Sequence, residues 1–153
     1  MNQSNEYHYQ KELQHLITLS TGFMDAYVIH CYGKDPILLP QNIILSAMDS
    51  PTKVQTVEWH ETALPVFAVH HPERTLGVAL VIEGDSIEQR FVLMCDEMPK
   101  TSRLRISELV DDERERKDPT VFQYVKVGTQ IFQIPHLDYI QQNIQQNIQQ
   151  SIR

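Results

Sequence analysis

Apolar and polar positions fall into short blocks along most of the chain, with turn residues between them. The most organised block is residues 54–69, VQTVEWHETALPVFAV, which holds the only tryptophan. Val57 and Trp59 fall on one face of a strand and Glu58 and His60 on the other, because strand side chains alternate. His60, Glu61, Thr62 and Ala63 read as a short polar connector. Residues 64–69 are then apolar on both faces, the pattern of a strand covered on both sides. Pro51 and Pro72 fence the unit off.

The same reading gives strands over 26–31, 37–39 and 43–45, with a Gly33–Pro36 turn after the first. Asp49, Ser50 and Pro51 are expected to break the chain. Leu76–Ile82 and residues 90–95 are expected to pair across a loop containing Gly84 and Asp85. Leu104 and Ile106 alternate with Arg103 and Arg105 as a half-exposed strand. Residues 111–118, DDERERKD, read as a charged, solvated connector. Val121–Val127 and residues 130–134 form a hairpin around Gly128 and Thr129. The total is about nine short strands without helices between them, which argues for antiparallel barrels or a sandwich and against a βαβ fold.

Helical spacing is confined to the two ends. Leu13, Leu16 and Ile17 form a narrow stripe within residues 9–19, stopped by Ser20, Thr21 and Gly22. After Pro135, Leu137, Ile140, Ile144, Ile148 and Ile152 run through repeated Gln-Gln-Asn-Ile units. A constant spacing of four turns the stripe by about 40° per step on a 3.6-residue helix, so the isoleucines do not form a zipper seam. The segment reads equally as an oligomerising helix or a frayed extension, and Gln/Asn tracts are also often disordered. The chain therefore divides into a tail and short helix over 1–22, a β domain over 23–138, and a helix or tail over 139–153.

Composition narrows the function. At 41% apolar and 22% charged residues the chain is globular in character. A net charge of −7 argues against nucleic acid, where phosphate neutralisation supplies most of the affinity, and against anionic membrane surfaces. No apolar run approaches a membrane span, and the polar N-terminus does not read as a signal peptide. Cys31 and Cys95 are far apart in sequence and read as reduced, buried thiols of a cytoplasmic protein.

Candidate chemistry is sparse. His60, Glu61, His70 and His71 contain metal-ligand types, but adjacent histidines on extended chain point opposite ways. Asp96, Glu97, Glu108, Asp111 and Asp112 offer carboxylates for acid–base work, yet read more simply as solvated loops and strand ends. Nucleophile-elbow, dinucleotide and phosphate-loop motifs do not occur. These observations favour a protein that is not an enzyme and needs no cofactor or metal.

The order of blocks carries a resemblance. A strand (27–31), an apolar segment ending in Leu39-Pro40, a strand with Trp59, a polar turn and Leu64-Pro65-Val66 follow one another. A hydrophobic hairpin ending in Cys95-Asp96-Glu97, a last hairpin and a terminal helix complete the series. This series resembles the CheW-like domain, the adaptor of bacterial chemosensory arrays, over residues 23–140. It is most similar to the shorter, divergent members of pilus-motility systems, such as ChpC and PilI. Gln55 and Glu61 stand where the family carries glycines, and His60 where it carries arginine. Glycine allows tight backbone geometry that Gln and Glu support less readily.

The resemblance implies two small SH3-like antiparallel β-barrels sharing an apolar seam, with short terminal helices. It implies a cytoplasmic scaffold that couples the tip of a chemoreceptor to a CheA-type histidine kinase, controlling type IV pilus (twitching) motility. The residues proposed to carry those contacts are Tyr27, Ile29, Leu38, Ile44, Trp59, His60, Glu61, Thr62 and Ala63. Two other readings stay open on the residues: a small β-barrel enzyme or ligand-binding domain using His60, Glu61 and His70, and a structural protein that self-associates through its C-terminal helix.

Overall fold

The computed structural model describes residues 22–152, so the helix expected over 9–19 lies outside the described residues. Among the described residues the chain is mainly β, with two curled half-barrel sheets and one C-terminal helix. The described residues contain eleven strands: β1 (Phe23–Ile29), β2 (Ile37–Pro40), β3 (Ile44–Pro51), β4 (Thr56–Trp59), β5 (Thr62–Ala68) and β6 (Leu76–Ile82). They continue with β7 (Phe91–Cys95), β8 (Lys100–Arg105), β9 (Leu109–Asp112), β10 (Val121–Val127) and β11 (Gln130–Pro135). Helix α1 spans Leu137–Ile152. The first sheet has the order β8-β1-β2-β11-β10-β9 and the second β3-β6-β7-β5-β4.

The expectation of purely antiparallel sheets is corrected at one ladder in each sheet. β2 and β11 run parallel, as do β5 and β7. The first contact rests on Gln133, whose N–H donates to the Pro36 carbonyl (2.9 Å) and whose side-chain amide donates to the Asp35 carbonyl (2.7 Å). These bonds give the buried Gln133 partners for its backbone N–H and its side-chain NH2, donors that would be costly to leave unmade.

The continuous apolar runs are explained by burial on both faces. Ile37 and Leu39 of β2 point to a core shared by the two sheets, while Leu38 points into the first half-barrel. In β6 and β7, Leu80, Ile82, Phe91 and Leu93 fill the shared core. Ala79, Val81, Val92 and Met94 line the opposite face with Leu64. Each fully buried Leu, Ile or Phe contributes roughly 1.5–3 kcal/mol relative to exposure, so this two-sided burial dominates the fold's stability. Cys31 and Cys95 are free and buried in the shared core. Burial pushes their thiols up, to about 11 and about 12 respectively.

Three local expectations change. Residues 49–51 do not break the chain: β3 continues through them, pairing Ser50 with Gly77 and Pro51 with Leu76. β3 is an edge strand, where a proline leaves no central ladder bond unmade. Asp111 and Asp112 belong to β9, which pairs with β10. Beyond them the acidic–basic segment is strapped onto β10, with the Arg114 guanidinium over Tyr124 (4.6 Å) and Arg116 over Phe122 (6.0 Å). Finally, α1 begins at Leu137, inside the segment assigned to the β domain. His136 Nδ1 accepts from the Tyr139 N–H (3.1 Å) at its start. Leu137, Ile140 and Ile144 are buried in the shared core, so the first half of the helix is part of the β domain rather than a separate tail.

Candidate functional site at the Trp59 hairpin

β4 and β5 pair as Thr56 with Pro65, Val57 with Leu64, Glu58 with Ala63, and Trp59 with Thr62. The connection is therefore two residues, His60 and Glu61, not the four-residue connector expected. Both have positive φ, 48° and 65°, and they are the only described non-glycine residues that do. A two-residue hairpin with positive φ at both positions matches the twist of its strands and usually selects Asn-Gly or Gly-Gly. Here His and Glu occupy it, a backbone arrangement that costs energy. Glu61 thus adopts the left-handed conformation that glycine favours.

Trp59 holds the turn in place. Its indole is half-buried against the Leu64, Ala79, Val81, Val92 and Met94 cluster, with Val57 on the same face. The tryptophan is less buried than its position beside an apolar strand suggests, because β4 is the sheet's outer edge. The His60 ring stacks on the indole, with centroids 4.0 Å apart and planes inclined by 21°. The Arg90 guanidinium lies 5.5 Å from the ring centroid. Glu83 grips Arg90 through two contacts of 2.8 and 3.4 Å. The hydrogen bond from Arg90 holds the Glu83 carboxyl below its usual range. Arg90 and Glu83 escaped the sequence reading. Their signal was present: each directly flanks one strand of the β6–β7 pair, one step beyond the Ile82–Phe91 rung.

The candidate contact residues do not form one surface. His60, Glu61, Thr62 and Ala63 are exposed together at the hairpin tip. Ile29 and Leu38 are completely buried in the first sheet, so their assignment as contact residues is corrected: they are core. Tyr27 is half-buried against the shared core. Ile44 is half-buried on β3, at the opposite edge of the second sheet from β4.

The His60, Glu61 and His70 grouping does not converge either. His60 and Glu61 precede β5 and His70 follows it, so seven strand residues, roughly 20 Å, separate them. Among the described residues no three His, Cys, Asp or Glu side chains are placed to hold a metal ion. Three of the five acidic candidates are engaged locally. Asp96 accepts from the His71 N–H (2.8 Å), Asp111 from Gln123 (2.5 Å), and Asp112 from Arg114 (3.3 Å). No described helix is long and apolar enough to cross a membrane.

Neither a scan against protein-family models nor a search of curated proteins finds a match to this chain.

Proposed function

We propose that the protein is a CheW-like adaptor that works by binding, with the β4–β5 hairpin tip as a principal contact. In this reading it is a cytoplasmic scaffold that couples the tip of a chemoreceptor to a CheA-type histidine kinase. Its pathway output is type IV pilus (twitching) motility. The observation that carries the reading is the exposed His60–Glu61 turn, held in left-handed backbone by the Trp59 stack. Strained backbone persists where surrounding structure over-determines it, and such sites concentrate at functional surfaces. The turn is exposed at a sheet edge and its His60 ring is stacked on Trp59, which lowers the ordering cost of presenting that ring to a partner.

Two further features support the family reading. Two curled sheets share one apolar core, as the resemblance implies for its barrels. Glu61, at a position where the family carries glycine, has a glycine-like φ of 65°. The test is capture from the native cytosol on the immobilised full-length protein, followed by identification of bound proteins. The reading expects a histidine kinase among them. Its consistent absence, with the bait shown to be folded, would overturn the adaptor assignment.

A further inference from the structure

We propose that the first half-barrel holds a binding site for a small apolar ring carrying one N–H or O–H donor. This site is separate from the Trp59 hairpin and does not rest on the adaptor reading. A cavity of about 230 Å³ lies inside the six-stranded sheet. Leu38 and Val125, from the sheet's inner core, line it with Ile134. β8 and β9 are the two edges of this sheet, and no ladder joins them. A short 3-10 turn, Ile106–Glu108, carries the chain from one edge to the other. Ile106 and Leu109, at the ends of that turn, also line the cavity. The space is thus a consequence of the half-barrel's failure to close by strand pairing.

Size and chemistry select the ligand. An apolar cavity of about 150 Å³ suffices for benzene, so this one takes a compact one- or two-ring group and excludes a folded segment of chain. Among its lining residues only Asp111 and Gln123 carry polar side chains, joined by a 2.5 Å bond from Gln123 Nε2 to Asp111 Oδ1. The pair stands at the cavity's solvent-exposed mouth, where the second Asp111 oxygen and the Gln123 amide oxygen have no partner among the described residues. Both are acceptors. They favour a ligand with a donor and repel a carboxylate or phosphate. Met24 completes the wall, and its thioether is well suited to an aromatic ring.

Indole is a suitable probe. Titrated into the full-length protein at low-millimolar concentration, it should move the methyl resonances of Ile106, Leu109, Val125 and Ile134 together, along one saturating curve. 1-Methylindole, which lacks the N–H, should bind several-fold more weakly. Leu109→Trp, which fills the cavity from its half-exposed rim, should abolish the shifts while the melting curve stays cooperative. If that variant does not fold, the titrations of the unaltered protein still decide. No methyl shifts, shifts confined to other residues, or equal affinity for both probes would overturn the proposal.

Discussion

The Arg90 guanidinium sits over the Trp59 indole and is held there by Glu83. The relationship links three separate stretches of chain: the β4–β5 hairpin, the end of β6 and the start of β7. It also orders the hairpin's tip, because the same indole carries the His60 ring.

Replacing Trp59 should therefore be costly but not catastrophic. Truncating a fully buried Trp to Ala costs about 3–5 kcal/mol. Trp59 is half-buried, so Trp59→Ala should cost about 2–3 kcal/mol, read from urea unfolding. An unchanged midpoint would mean that the indole does not pack on the Leu64–Met94 cluster.

Glu61→Gly should stabilise the protein by about 0.5–1 kcal/mol, since the left-handed backbone no longer carries a side-chain penalty. Glu61→Val should do the opposite, because a β-branched residue at positive φ is strongly disfavoured. Thermal melts of the pair distinguish this from a general effect of removing the charge, which would move both variants the same way.

The Glu83–Arg90 pair gives a pH dependence with a definite sign. The folded-state carboxyl lies below its ordinary value of 4.5. Its stabilising contribution is complete above that value and is lost as pH falls through the folded-state value. The stability difference between the unaltered protein and Glu83→Gln should therefore be present at neutral pH and shrink in acid below the ordinary value. The pair is partly exposed, so the effect is small and weakened by salt. A difference that grows on acidification would contradict it.

Gly77 is a close-approach glycine. A side-chain carbon there would overlap the Cys95 carbonyl oxygen and lie 2.9 Å from Thr52 Cγ2. Gly77→Ala should cost about 1–3 kcal/mol, the usual range for overpacking, in a denaturant melt. A neutral result would show that β6 and β7 separate more easily than their ladder implies.

How far the sequence reveals this fold depends on what each segment had to satisfy. β6 was legible to the residue, and β7 to within one, because their apolar runs are buried on both faces and bounded by polar turns. The β10–β11 hairpin was legible through Gly128, whose φ of 64° needs glycine at little cost. β9 was hidden because two of its four residues are aspartates, and only pairing with β10 makes it a strand. The strap over β10 was hidden because arginines that stack on Phe122 and Tyr124 look like any solvated charge run. At the candidate site, the order of residues exposed the hairpin and Trp59. It could not separate Ile29 and Leu38 from surface residues, since complete burial is a tertiary property of apolar side chains.

The strap makes its own prediction. Arg114 is tied to Asp35 (2.9 Å) and Asp112 (3.3 Å), and Lys34 to Asp118 (2.6 Å). Burial favours raising the Asp118 carboxyl, but Lys34 and Thr120 outweigh it and hold it low. Arg114→Gln, or high salt, should speed cleavage after Glu113 and Glu115 by a glutamate-specific protease. Cleavage rates that ignore both changes would mean that the segment is not held by these contacts.

The Glu61 side chain, exposed on a turn whose backbone shapes the hairpin, is proposed as a partner contact rather than a contributor to folding. The most direct measurement is made on Glu61→Lys, with a melting curve and a kinase-capture assay on the same preparation. Surface substitutions of this kind usually change stability by less than ~0.5 kcal/mol. A like charge forced into an interface can cost several kcal/mol, enough to lose a micromolar complex. The melt of Glu61→Lys should be unchanged and its capture of the histidine kinase lost. An unchanged melt with undiminished capture would contradict the proposed contact.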